Sequence, residues 1–219
     1  MTTRVYYSSD ELTLSTQVLD CTATDDGRYQ VVLAQTLFHP QGGGQLADRG
    51  LIAGVAVEAV SNDGDTVRHI VGQPIAPGPV DIRVCGETRQ LHARLHSAGH
   101  LISGVGQLLG WRPSKGHHWP GECRVVFERQ DGVQELTAER LEQAVNQLIE
   151  ADAPRRLVDQ DGVRSVCFGE LPMHGCGGTH VASAGQVGRL SILKIKEKKG
   201  QLSVHYDAVS YTHLTLPTK

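Results

Sequence analysis

The sequence lacks a disulfide framework. Its five cysteines, Cys21, Cys85, Cys123, Cys167 and Cys176, are odd in number and widely scattered. That pattern fits a reduced, cytosolic setting rather than an oxidising compartment. No apolar run reaches membrane-spanning length. The first residues, MTTRVYYSSDEL, hold neither an apolar signal core nor an Arg-rich amphipathic presequence. A soluble cytoplasmic protein with no membrane partner is expected. Basic charge is not in excess either: 21 Lys and Arg against 24 Asp and Glu give a formal net charge of -3. Nucleic-acid binding must then rest on a local patch, not on an overall field. With 219 residues, the chain has room for one large domain or two small ones.

What is present first is strand signal. From Thr3 to about Val84, the runs VYY, STQVLDCTATDD, RYQVVLAQTLF, GLIAGVAVEAVS, DTVRHIVG and GPVDIRVC are rich in Val, Ile, Thr and Tyr. Asp-Gly and Pro-Gly turn signals separate them. Regular short strands predict a small β-barrel. Inside this region lies FHPQGGGQLADRG, Phe38 to Gly50. Its three consecutive glycines mark a sharp turn or a close approach, and a plain hairpin loop would also produce them.

A helical pattern follows GETRQ. Leu91, Leu95, Ala98, Ile102, Val105 and Leu109 recur at spacings of three and four and predict a buried stripe, with His96 and His100 on a different face. The segment after Gly110, with Pro113 and Pro120 around Lys115, His117 and His118, reads as turn-rich and leads into a strand at about Arg124 to Glu128. A second helix is expected over about Thr137 to Ala153, with Leu141, Ala144, Val145, Leu148 and Ile149 inward and Glu139, Arg140, Glu142 and Glu150 on a solvated face. Further strand-like segments include Val163 to Phe168. VGRLSILKIKEKK and LSVHYD read as two terminal strands joined at Gly200-Gln201. Lys194, Lys196, Lys198 and Lys199 crowd this hairpin; edge protection against aggregation and RNA contact explain them equally well.

Two short motifs carry the chemistry. His96 and His100 are i and i+4 on a helix, so both imidazoles leave one face a turn apart. Cys176 and His180, in CGGTH, repeat that spacing. Two His with a Cys and a His make a nitrogen- and sulfur-rich set suited to one tetrahedral Zn²⁺ per chain. His92, four residues before His96, is left outside a set that is already complete. Four protein ligands lean towards a structural ion, but the Gly-rich surroundings of CGGTH allow one ligand to yield, and both readings stay open. A zincin protease needs Glu directly after the first His, where this chain has Ser97. A Cys176-His180 nucleophilic pair is a further reading, with Gly177 and Gly178 N–H groups as an oxyanion hole, although zinc would compete for the thiolate.

HSAGH at 96–100, CGGTH at 176–180 and GGGQLADRG at 42–50, in that order, resemble the AlaX proteins, free-standing relatives of the alanyl-tRNA synthetase editing domain. The barrel with its GGGQ loop is similar to the medium-length members. Threonyl-tRNA synthetases share the second domain's general design, but GGGQ and CGGTH favour the alanyl branch. The resemblance implies an α+β fold: an N-terminal small β-barrel over 1–88, then an α+β editing domain with antiparallel sheet and helices over 89–208. It implies an aminoacyl-tRNA deacylase that clears mischarged tRNA(Ala), serine first and glycine second. Its metal positions fall on His96, His100, Cys176 and His180. Catalytic roles would fall to His96, His100, His180 and Gln45. Substrate contacts would fall to Gly42, Gly43, Gly44 and Gln45, with Lys115, Arg155, Arg156, Lys194 and Lys196 gripping RNA. Asp48 is expected to be structural, and a monomer is expected. The alternatives are a zinc-stabilised tRNA-binding module without turnover, or editing of another aminoacyl-tRNA. The tail from 209 to 219, VSYTHLTLPTK, resembles translated read-through of a sequencing-library transposon adapter. It is set aside with His213, and a natural C-terminal segment is expected to be missing.

Overall fold

Alternation of β-branched and polar side chains makes strands of about half of the first ninety positions. A computed structural model describes residues 1–209 and groups the chain into two units, one from Met1 to Leu91 and one starting at His92. The expected tail from 210 on, with His213, lies outside the described residues. Val209, the first residue set aside with that tail, is the last described residue and pairs with Arg189.

The first unit holds β1 (Thr3–Arg4), β2 (Thr13–Ala23), β3 (Tyr29–Leu33), β4 (Gln35–Thr36), β5 (Gly50–Ile52), β6 (Val55–Asp63), β7 (Thr66–Val71) and β8 (Gly78–Val84). Six of them form a closed barrel in the order β2-β3-β7-β6-β5-β8, with β8 pairing back onto β2. Every pairing in this ring is antiparallel. Inward residues such as Val31, Leu33, Phe38, Ile52, Val67 and Ile82 fill it. Polar side chains sit among them too: His69 donates from Nδ1 to the Val31 carbonyl (3.2 Å) and accepts the hydroxyl of buried Thr36 at Nε2 (2.9 Å). Burial pushes its pKa down to about 4. The VYY run is not a strand. Val5–Tyr7 is a 3₁₀ turn in which the Val5 carbonyl accepts from Ser8 and Ser9, burying Tyr6.

Helix α1 (Gly86–Leu108) runs across the division. The second unit adds β9 (Arg112–His117), β10 (Arg124–Glu128), α2 (Ala138–Glu150), β11 (Arg155–Gln160), β12 (Val163–Phe168), β13 (His174–Gly175), β14 (Arg189–Lys198) and β15 (Gln201–Val209). Its antiparallel sheets have the orders β14-β15-β10-β9 and β11-β12-β13. The protein is thus a mixed α and β chain with two α-helices among the described residues. None of these is long and apolar enough to cross a membrane.

Three local expectations change. Residues 112–117 are an edge strand rather than a turn-rich link; an edge position and a bulge accommodate Pro113. Helix α1 is not a one-sided stripe, because His92, His96 and Ser97 are buried along with Leu95, Ala98 and Ile102. Glu142 on α2 is not simply solvated: its carboxylate accepts from the Ile192 N–H (2.7 Å), where β14 bulges out of register. Thr137 caps α2, its hydroxyl accepting from Arg140 N.

Candidate metal centre

The i, i+4 pair on α1 meets CGGTH as its spacing allows. The donor atoms of His96, His100, Cys176 and His180 all lie within 4.8 Å of one another. Cys176 Sγ is 3.4 Å from His96 Nε2 and 3.7 Å from His180 Nε2. A tetrahedral ion with ordinary Zn–N and Zn–S bonds has N-to-S edges of about 3.5 Å, so these separations fit one. Three imidazoles and one thiol, with no carboxylate, can hold a metal ion of the borderline-soft kind. His92 is not among the four donors.

Burial drives the His100 pKa down to about 3, helped by the charges of His174, His118 and Arg164. Burial also holds His180 well below its usual value. These imidazoles are therefore neutral, as ligands must be. Burial raises the Cys176 thiol, opposed by the Gly178 N–H and the Arg164 charge. A divalent cation is the charge that would release that proton.

Backbone anchors shape the CGGTH loop. Arg164 of β12, only 9 % exposed, donates from Nη1 to the carbonyls of Cys176 (2.6 Å) and Gly178 (3.0 Å). Arg155 of β11 donates to the His180 carbonyl (2.6 Å). Ser97, between the two helix histidines, accepts at Oγ from the Val181 N–H (3.1 Å). With its carbonyls held outward by guanidinium groups, the loop presents its side chains to the cluster. Arg164 was not singled out in the sequence, and Arg155, expected to grip RNA, also makes this backbone contact. A lone arginine in a strand carries no local signal of which carbonyl it will meet.

His118 was named only as part of a turn. It stacks on His96 with ring centroids 4.5 Å apart and planes 19° apart. Tyr206 Oη donates its single proton to the Leu95 carbonyl (2.9 Å). The 2.6 Å contact to His118 is therefore an Nδ1–H donating to that oxygen, which leaves the lone pair on His118 Nε2. Burial lowers His118 to about 4. Gly99, mid-helix, is a close-approach glycine: a Cβ there would lie 2.6 Å from His118 Nδ1 and 2.8 Å from Tyr206 Oη. That exclusion outweighs the roughly 1 kcal/mol that glycine costs in a helix.

The other predicted residues divide between the units. In the first, Gly42 and Gln45 exchange backbone hydrogen bonds (3.1 and 3.0 Å) around Gly43 and Gly44, whose φ angles of 57° and 77° make the tight turn. Apart from the glycine itself and its chain neighbours, no atom of the described residues lies within 4 Å of a Cβ placed on Gly42 or Gly43, and Gln45 is 0 % exposed. Asp48 anchors the loop by accepting from His39 N (2.6 Å) and from Arg89 (2.5 Å). In the second unit, Lys115 is exposed on β9, and Lys194 and Lys196 are exposed on β14. Arg156, on β11, reaches Gly169 O (3.3 Å) and Glu170 (3.4 Å).

Residues 163–203 match the family model for the threonyl and alanyl tRNA synthetase second additional domain. The chain is 33 % identical over 197 residues to the rat alanyl-tRNA editing protein Aarsd1, spanning 78 % of this chain and 47 % of the relative. It is 28 % identical over 230 residues to the alanyl-tRNA editing protein AlaX-L of Pyrococcus horikoshii, 92 % of this chain and 56 % of that one. Alanine–tRNA ligase of Pyrobaculum neutrophilum is 30 % identical over 207 residues, 78 % of this chain and 23 % of the ligase. The chain thus spans about half the length of the editing proteins it matches.

Proposed function

We propose, from the premise that this chain is a homologue of the alanyl-tRNA editing proteins, that it hydrolyses the ester of mischarged tRNA(Ala), serine first and glycine second. The observation that carries this reading is the four-donor cluster of His96, His100, Cys176 and His180. Zinc is the ion the donor set suits, one per chain. When bound, it supplies a positive centre that can polarise an ester carbonyl, acidify water or anchor the substrate's amino group. The chain's own residues do the rest. An aminoacyl ester is already activated, so positioning and exclusion carry most of the work. Burial keeps His100 and His180 neutral, His96 is fixed by stacking on His118, and His180 sits in the anchored loop. Gln45 and the Gly42–Gly44 turn are proposed to contact the terminal aminoacyl group, with Gln45 pairing the serine hydroxyl. Alanine would leave that polar group unpaired, which spares correctly charged tRNA. Residues 1–88 would act as the barrel domain and 89–208 as the editing domain. The five free thiols suit the cytoplasm.

Four protein donors can also close the ion's coordination, and this favours a second reading: a zinc-stabilised module that binds tRNA without turnover. Deacylation of Ser-tRNA(Ala), Gly-tRNA(Ala) and Ala-tRNA(Ala), with and without chelator, separates the two. Editing predicts rapid loss of the seryl ester, slow loss of the alanyl ester, and inactivation by chelator. Tight binding of Ser-tRNA(Ala) with no hydrolysis by zinc-loaded protein would leave only the binding module.

A further inference from the structure

The outer face of the second unit's four-stranded sheet is a candidate RNA surface, and strand register is what assembles it. Lys194 of β14 lies opposite His205 of β15, which lies opposite Arg124 of β10, which lies opposite His117 of β9. Two residues along, Lys196, Ser203, Val126 and Lys115 form the adjacent row. Side chains two apart share a face. The alternate positions, Val125, Phe127, Leu202, Val204 and Tyr206, are all buried. Lys115, Arg124, Lys194 and Lys196 therefore share the outward face, in a patch about 15 Å across the strands and about 7 Å along them.

None of these four cations forms an ion pair among the described residues, whereas Arg112, in the next row, pairs with Glu128. In the same row as Arg124, His117 lies 3.3 Å from the Glu122 carboxylate. Burial and then the charges of Arg124, Lys194 and Lys196 lower His205, and Lys196 lowers Lys194. Edge protection explains lysines on β14, the sheet's outer strand, but not Arg124 on the interior strand β10. At the β9 end, half-buried Trp119 lies against His117 with ring centroids 4.7 Å apart. The next residue after His117 is His118, whose ring stacks on the donor histidine His96. Cations beside an aromatic pair suit a phosphodiester backbone ending in unpaired bases.

We infer that this face binds the tRNA backbone through Lys115, Arg124, Lys194 and Lys196, and that the unpaired 3′ segment stacks at Trp119 as it passes over the β9 edge towards the histidine cluster. The inference rests on the proposed editing function for its choice of RNA. Binding is measured on uncharged tRNA(Ala) across a salt series, which needs no turnover. Lys194→Gln/Lys196→Gln should flatten the log K against log salt slope by about 1.5, and Arg124→Gln by about 0.8. Arg112→Gln, already neutralised by Glu128, should leave it unchanged. In deacylation, the patch variants should raise KM several-fold while kcat and zinc content stay within twofold of the parent. Trp119→Ala should weaken binding of a tRNA with an intact 3′ end but not of one trimmed of its unpaired bases, and Trp119→Phe should restore it. Unchanged slopes in zinc-loaded, folded patch variants would overturn the surface even if editing proceeds. Charge-dependent tRNA binding without hydrolysis would keep the surface and sink the editing reading. Binding to phosphatidylserine vesicles but not to tRNA would overturn the surface outright.

Discussion

Two glycine-containing loops are each anchored by a buried arginine, and the arginines hold different things. In the first unit, Arg89 meets the fully buried carboxylate of Asp48 and also donates to the Leu37 carbonyl (2.5 Å). In the second, Arg164 donates to the backbone carbonyls of Cys176 and Gly178. The first arrangement is a charge pair whose members neutralise each other, so its loss is felt as stability. The second places a positive charge beside a thiol and neutral imidazoles, so its loss is felt as ligand geometry and metal affinity. Similar residues thus serve rigidity in one loop and chemistry in the other.

The largest expected effect tests the first half of that contrast. Arg89→Met strands the Asp48 carboxylate and should cost about 3–5 kcal/mol in urea unfolding, with zinc stoichiometry of the folded protein unchanged. Loss of zinc at unchanged stability would break the comparison.

The barrel's buried histidine gives the next effect. The folded pKa of His69 lies near 4 against 6.5 unfolded, so the unfolded chain takes up the proton first. Its stability contribution is complete above pH 6.5 and is lost as pH falls from 6.5 to about 4, a total of about 3 kcal/mol. His69→Gln should flatten that part of the stability–pH curve. An unchanged curve would show that His69 does not titrate as its burial requires.

Arg164→Gln sharpens the second half. It should lower zinc affinity 10- to 100-fold in competition with a chromophoric chelator, while unfolding of the metal-free protein shifts less than for Arg89→Met. The conservative Arg164→Lys should recover part of the affinity. Equal losses of stability from both arginines would erase the distinction between the loops.

Much of this architecture is written locally. Turn residues delimit the strands, and Thr137 announces α2. The i, i+4 spacing of His96 with His100 and of Cys176 with His180 names a donor set that the structure brings within 4.8 Å. Where reading along the chain fell short, the missing information was long-range. Pro113 obscured β9, which exists because β10 supplies its partner. The apolar stripe on α1 missed the helix's other buried faces because burial depends on what packs around it.

The sequence alone pointed to the four clustered His and Cys residues, the turns and the resemblance to the editing proteins, since these depend on residue type and on spacings of a few positions. Only the tertiary structure decided that Arg155 and Arg164 grip the CGGTH carbonyls, that His118 and Tyr206 brace His96 past Gly99, and that Arg124 joins Lys194 on one face. Each of these joins residues on separate elements, brought together by strand register and helix packing. Such pairings are set by the burial of the whole unit and leave no mark in the local pattern of either partner.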